Sequence, residues 1–171
     1  TVRQIVFIAL NVALGIVFEL IASMFLKMPQ GGTICISILP IVFVSLKINP
    51  FYAVVTGILV GVGQGIVTPP TFVAFIQYFL DYIFAFGVIG LSTVLIGAKK
   101  NKYVLMMGVF LTMTAKYLAH VVSGIVYFGE YATGPVVIYS LIYNGTFMLP
   151  SLIIVLAILF PLHRTLQRIQ F

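Results

Sequence analysis

The stretch QIVFIALNVALGIVFELIASMFL, residues 4–26, decides the class of fold, because Glu19 is its only charged residue and nearly all the rest is apolar. A helix that crosses a bilayer needs about 20 mostly apolar residues. The apolar centre of a secretory signal has only about 7 to 15 residues, so this run is too long for one. The stretch therefore predicts a membrane-spanning α-helix.

The rest of the chain has the same character. Of its 171 residues, 62% are hydrophobic and 7% are charged, whereas soluble domains contain about 25% charged residues. Because each crossing takes only about 20 residues, the chain has room for several crossings. We interpret residues 1–171 as a single all-α integral membrane domain.

Prolines, glycines and polar clusters divide the chain into six candidate spans. The spans cover residues 4–26, 33–46, 51–67, 71–96, 103–128 and 136–160. The second span is short, and Pro40 predicts a kink in it because proline removes a helix hydrogen bond. The third span ends at the turn TPP, residues 68–70.

The basic residues predict the orientation of these spans. Six spans place most of them on one side of the membrane: Arg3, Lys47, Lys99, Lys100, Lys102, Arg164 and Arg168. Only Lys27 and Glu130 remain in the opposite loops. Basic loops stay in the cytoplasm, so we expect both termini there. The net charge of +6 thus reflects topology rather than nucleic-acid binding, which requires a basic stripe on a soluble face.

The chain carries no sequence motif of an enzyme. It has no phosphate-binding GxxxxGK, no HExxH and no GxSxG. The single Cys35 has no partner at metal-ligand spacing, and we interpret it as a small buried apolar residue. We therefore predict no metal, no cofactor and no ATP hydrolysis by this chain. The alternative is a small intramembrane enzyme with Asp81 and His120 as acid and base, although no nucleophile is identified for it.

Polar residues inside the spans predict a binding site. Counting about 1.5 Å per residue along each helix brings residues of four spans to one depth in the outer leaflet: Glu19, Asp81, His120 and Asn144. Gln77 and Tyr139 come out nearer the outer surface, and Lys116 lies one turn deeper. An ionisable residue within a span is by default a hypothesis of a functional site. Because aromatic residues accompany these polar ones, we expect a pocket that opens outward.

Sequence spacing indicates which of these side chains share a helix face. Gln77 and Asp81 are four residues apart, as are Lys116 and His120, so each pair lies on one face. Taken singly, His120 is as readily interpreted as a residue that forms a hydrogen bond between helices as one that contacts a ligand. We interpret Lys116 as structural, in an ion pair with Glu19 or Asp81.

Small residues form two stripes. Gly57, Gly61 and Gly65 recur every four residues in the third span, which predicts close packing within the bundle. Ala9 and Ala13 have the same spacing in the first span. For the alanines, a docking face for another membrane subunit and packing inside the bundle are both open.

Four stretches carry a family resemblance: FLKMPQGGTICISILPI, QYFLDYIFAFGVIGLS, KYLAHVVSGIVYFGEYA and VIYSLIYNGTFMLPS. They resemble the corresponding stretches of the thiamine-specific S components (ThiT type) of energy-coupling factor (ECF) transporters. The resemblance runs over residues 2–158 in the same order. It implies the S-component fold of six transmembrane helices, and a protein of the bacterial cell membrane that captures vitamin B1 from outside. It also implies a transmembrane T component and two cytoplasmic ATPase subunits as partners.

The resemblance also assigns residues. It places pocket residues of the family at five positions: Asp81, Tyr82, His120, Tyr139 and Asn144. Ala9 and Ala13 match the family's surface for the T component, and residues 28–43 match a mobile cover over the pocket. Two positions depart from the family. Phe128 stands where the family often has tryptophan, and the acid is aspartate instead of glutamate.

Thiamine joins a cationic thiazolium ring to an aminopyrimidine, and the predicted residues suit both parts. Asp81 opposes the positive charge and accepts a hydrogen bond from an amino group. The other expected ligand contacts are polar groups for the pyrimidine edge and ring faces for stacking: Gln77, His120, Tyr139, Asn144, Tyr82 and Phe128. Within the same class, a related compound such as hydroxymethyl pyrimidine is the alternative ligand.

Overall fold

The computed structural model describes residues 1–25, 27–67 and 74–168. Within these ranges the chain is helical and contains no strand. The helices are α1 (Val2–Phe25), α2 (Ile38–Lys47), α3 (Pro50–Val67), α4 (Phe75–Thr93), α5 (Lys102–Tyr127) and α6 (Val136–Arg168). All except α2 are long and apolar enough to cross a membrane. The prediction of an all-α, multi-pass membrane protein is confirmed.

Some predicted boundaries differ from the structure or lie outside it. The turn at residues 68–70, the end of the first span at Leu26 and the start of the fourth span at residue 71 lie outside the described residues. Helix α6 continues past the predicted end of the last span, so the basic tail is helical as far as Arg168.

Helix α2 is shorter than the predicted span 33–46, because it begins only at Ile38. Its 10 residues amount to about 15 Å at the usual helical rise, about half of the hydrocarbon core of a bilayer. The part of the second predicted span that precedes Ile38 is not helical. Pro40 lies in the first turn, where proline breaks no helix hydrogen bond, so the kink predicted for a longer helix has no cause here. Helix α2 packs against α1, α3, α4 and α6 and forms the centre of the bundle.

Helix α4 departs from regular α geometry in the stretch that carries Asp81. It widens to π geometry over Phe79–Phe84 and tightens to 3-10 geometry over Val88–Thr93. Single π turns inside helices occur often at functional sites. The sequence period of four still holds between Gln77 and Asp81, whose side chains meet.

The glycine stripe of α3 packs directly on α4. A Cβ atom at Gly57, Gly61 or Gly65 would collide with α4, at the Phe86 carbonyl, the Tyr82 carbonyl and the Tyr78 ring, respectively. Small residues allow two helix backbones to approach closely. The predicted packing of these glycines within the bundle is confirmed, and it fixes the position of the backbone beside Asp81.

The alanine stripe of α1 lies on the outer surface. Ala9 and Ala13 are exposed, whereas the buried face of α1 consists of Asn11, Gly15, Glu19 and Ala22. The interpretation that the two alanines pack inside the bundle is therefore wrong. Their position leaves the docking face as the remaining interpretation.

Candidate functional site

A cavity lies between α3, α4, α5, α6 and residues 27–37, which we call the connecting segment because they join α1 to α2. The cavity has a volume of about 80 Å³. All residues predicted to contact a ligand line this cavity: Gln77, Asp81, Tyr82, His120, Phe128, Tyr139 and Asn144. Five stretches of the chain thus meet at one site, and the predicted residues come from three of them, α4, α5 and α6.

Asp81 holds the centre of the polar wall. Its Oδ1 atom lies 2.9 Å from Nδ1 of His120, and its Oδ2 atom accepts from Nε2 of Gln77 at 2.8 Å and from Oγ of Ser123 at 2.7 Å. The side chains of Asp81 and His120 are 13% and 14% exposed. A buried carboxylate needs hydrogen bonds to replace those of water, and Asp81 has them while still lining the cavity.

The imidazole of His120 is oriented by this contact. An ionised carboxylate only accepts hydrogen bonds. We therefore assign the ring proton of His120 to Nδ1, which donates a hydrogen bond to Oδ1 of Asp81. In the neutral ring, Nε2 is then an acceptor for a donor group in the cavity. The ring also lies edge to face with Phe147, with the centroids 5.9 Å apart.

Asn144 completes the polar wall from α6. Its Nδ2 atom donates to the carbonyl of Ser140 at 2.9 Å and lies 3.3 Å from the carbonyl of His120. Its Oδ1 atom receives no hydrogen bond from the described part of the chain, which leaves an acceptor at the cavity. Helix α6 approaches α5 this closely at Gly124, where a Cβ atom would collide with Ser140.

Aromatic rings form the remaining walls. Tyr82 stacks on Tyr78 at 5.0 Å between centroids, and Tyr139 stacks on Tyr143 at 6.0 Å. Phe128 lies at the end of α5, where it also lines the cavity. These rings offer faces for a flat or cationic ligand.

Lys116 does not form the predicted ion pair. Its side chain is 1% exposed, and among the described residues no carboxylate oxygen lies within 4.0 Å of its Nζ atom. Nζ instead lies 3.5 Å from the centre of the Phe86 ring, whose face attracts a cation. The prediction was wrong because Asp81 and Glu19 are already satisfied by other donors.

The connecting segment, which the resemblance placed in a cover over the pocket, supplies cavity residues that the sequence analysis did not name as ligand contacts. Gln30, Gly31, Gly32, Thr33 and Cys35 line the cavity. Gly31 makes the turn possible, because its φ of 98° lies in the left-handed region that favours glycine. Cys35 is buried as predicted, but its Sγ atom lies 2.9 Å from a carboxylate oxygen of Glu19, so it is more than an apolar filler.

Ser123 is a further residue of the site that the sequence reasoning missed. It lies three residues after His120, so helical spacing alone could have placed it on the same face. Its hydroxyl donates to Asp81, as does the ring of His120. In a Ser-His-Asp triad the histidine lies between the other two. Here the acid lies between them, so the serine is not activated as a nucleophile.

Comparisons with known proteins show the family and the fold of the chain. A sequence model of the family described as Thiamine transporter protein (Thia_YuaJ) matches residues 5–171. The chain is 35% identical to Thiamine transporter ThiT of Bacillus subtilis (strain 168), over 97% of this chain and 93% of that protein. It also resembles a solved structure of ThiT from Listeria monocytogenes, with a TM-score of 0.79 and 21% identity over 96% of this chain and 94% of that one. This last likeness confirms the predicted fold.

Proposed function

The chain belongs to the thiamine transporter protein family, and from this premise we propose that it is the substrate-capture (S) component of an ECF-type importer. It binds thiamine from outside a bacterial cell membrane and hands it over for ATP-driven uptake. It is a transport protein and not an enzyme. Thiamine is a ligand here and not a cofactor.

The observation that carries this proposal is the carboxylate of Asp81 in a cavity wall of neutral donors, acceptors and ring faces. The cation Lys116 also lines the cavity, but its ammonium group lies over the Phe86 ring. Gln77 and Ser123 donate to Asp81 without neutralising it. A carboxylate kept in apolar surroundings attracts a cation of matching shape. The thiazolium of thiamine is such a cation, and its charge is delocalised over a ring that Tyr82 or Phe128 can stack against.

The aminopyrimidine suits the remaining polar atoms. Its exocyclic amino group donates two hydrogen bonds, and Nε2 of His120 and Oδ1 of Asn144 are acceptors that can receive them. The hydroxyl of Tyr139 serves a ring nitrogen, because it can donate as well as accept. Buried polar groups left without partners lower affinity strongly. The polar groups of His120, Asn144 and Tyr139 therefore favour thiamine over rings that lack the amino group.

Titration calorimetry of the purified protein with thiamine tests the proposal directly. We expect one thiamine per chain and a dissociation constant below about 1 μM, equivalent to about 8 kcal/mol. Hydroxymethyl pyrimidine is the comparison ligand, because it lacks the thiazolium. No heat of binding at micromolar thiamine would contradict the proposal, and tighter binding of the pyrimidine would assign the alternative substrate.

We further propose that the partners are a transmembrane T component and two ATPase subunits, which supply the energy of transport. Ala9 and Ala13 support a docking surface for the T component, because they form a small-residue stripe that the bundle leaves exposed to lipid. The face of α1 on the other side of the helix is engaged with α2 and α3.

Replacing both Ala9 and Ala13 with leucine is expected to reduce co-purification of the T component about tenfold, which corresponds to about 1.4 kcal/mol. The larger side chains keep the backbone of α1 apart from that of the docked T-component helix. The assay is pull-down of co-expressed subunits, with thiamine binding of the isolated chain as the readout for folding. Ala157→Leu is the matched control, because Ala157 is exposed on α6. An equal loss of co-purified T component in both variants would contradict a docking surface on α1.

A further inference from the structure

A second polar cluster lies behind the cavity and is centred on Glu19 of α1, which is 1% exposed. Its Oε2 atom accepts from Oγ1 of Thr33 and from Nε2 of Gln64, each at 3.1 Å. Its Oε1 atom accepts from Sγ of Cys35 at 2.9 Å and from Oγ of Ser37. Glu19 itself is not among the residues that line the cavity.

The donors satisfy the carboxylate without neutralising it. An ionised carboxylate has about four lone-pair sites, and four donors occupy them. No lysine or arginine lies within 4.0 Å of Glu19 in the described ranges. A charge in the membrane interior is stable only where such contacts persist. The hydroxyl and thiol donors are therefore drawn to this one position.

Three of the four donors belong to the connecting segment, and two of these, Thr33 and Cys35, also line the cavity. Two further hydrogen bonds attach the connecting segment to α6. The backbone N–H of Gln30 donates to the hydroxyl of Tyr143 at 3.0 Å, and that of Cys35 donates to Oγ of Ser151 at 2.9 Å. The segment thus bridges α1 and α6 across one wall of the cavity.

We propose that Glu19 is a positioning residue that holds the connecting segment closed against the cavity. A ligand enclosed there leaves only after the segment has moved, and movement separates Thr33, Cys35 and Ser37 from the carboxylate. Glu19 therefore governs the dissociation rate without touching the ligand. The identity of that ligand rests on the proposed function, whereas the attachment of the segment does not.

Labelling of Cys35 measures the opening of the segment, because it is the only cysteine of the chain and is 4% exposed. The protein is reconstituted in lipid nanodiscs without ligand, and the rate of reaction with a maleimide is recorded. We expect Glu19→Gln to react about tenfold faster than the unchanged protein, equivalent to a tenfold larger open population. Glu130→Gln is the matched control, because Glu130 is exposed, and it should react at the unchanged rate.

Two further variants separate opening from altered thiol chemistry. Glu19→Gln also changes the group that Cys35 contacts, whereas Thr33→Val and Ser37→Ala leave the contact between Cys35 and Glu19 in place. Each removes one donor and should raise the labelling rate severalfold. Fast labelling confined to Glu19→Gln would overturn the proposal, as would unchanged rates in all three variants. If Glu19→Gln does not fold, the other two decide the question.

Thiamine provides an independent readout. With thiamine bound, Glu19→Gln should release it about tenfold faster, while the association rate constant changes less than about twofold, because most affinity differences lie in dissociation. A residue with a merely structural role would lower thermal stability without this kinetic split. Failure of the unchanged protein to bind thiamine would defeat the proposed function alone, since labelling without ligand still tests the attachment.

Discussion

Replacing Asp81 with asparagine is expected to weaken thiamine binding about 100-fold or more. The substitution keeps the shape of the side chain but removes its charge, and truncation of one partner in a buried charge pair costs about 2–5 kcal/mol. The new amide group also brings a donor towards Gln77 and Ser123, which both donate at this position. Titration calorimetry with thiamine measures the loss.

An uncharged analogue shows whether the charge is responsible. A thiophene analogue has the shape of thiamine but no positive ring, so the unchanged protein should bind it about 100-fold more weakly, a difference of about 2.7 kcal/mol. Asp81→Asn should bind both compounds with similar affinity. Glu130→Gln removes an exposed acid and is the control. An Asp81→Asn protein that still prefers the cation would disprove the role of the charge.

Replacing Asn144 with leucine is expected to weaken thiamine binding by about 10- to 100-fold. The change removes the acceptor Oδ1 and leaves a buried donor of the ligand without a partner, which costs about 1–3 kcal/mol. Leucine has a similar size and suits a helix, so α6 should still form. The loss should be smaller for a pyrimidine that lacks the amino group.

Asn11 offers a matched control for this substitution. Like Asn144 it is a buried asparagine, with exposures of 6% and 5%. Its Nδ2 atom donates within α1 to the carbonyl of Phe7 at 2.8 Å, away from the cavity. Asn11→Leu should therefore retain the affinity for thiamine. If both leucine variants bind equally well, Asn144 makes no contact with the ligand.

The depth of the site could be predicted because helices convert sequence position into distance. A constant rise placed Asp81, His120 and Asn144 at one level, and the structure joins them: His120 contacts Asp81 with its ring and Asn144 with its carbonyl. Spacing of four likewise predicted the contact between Gln77 and Asp81. Whether these residues bind thiamine stays a prediction.

The connecting segment could not be predicted in this way, because it has no periodicity. Its course depends on single contacts with distant residues, such as Gln30 with Tyr143 and Cys35 with Ser151. The hydrogen bond from the N–H of Cys35 to Ser151 falls within the predicted span 33–46 and ties the chain to α6 ahead of Ile38, where α2 begins. Propensity does not register tertiary hydrogen bonds that compete with the first turn of a helix.

The ion pair predicted for Lys116 was wrong for a related reason. Opposite charges in a membrane span suggest a pair, and the sequence offers Glu19 and Asp81 as partners. Neutral donors are harder to recognise, since serine, threonine and glutamine are common and have no fixed partner. In the structure such donors occupy both acids, and the ammonium group lies over Phe86 instead.

The contact of the α3 glycines with α4 limits how new specificities can evolve on this scaffold. Gly61 packs against the carbonyl of Tyr82, the residue after Asp81, so backbone and not side chain fills the space behind this part of α4. A side chain at Gly61 would collide with the backbone of α4, so substitution there requires α4 to shift. Changes in ligand specificity are therefore expected along α5, α6 and the connecting segment, while this side of the cavity stays constant.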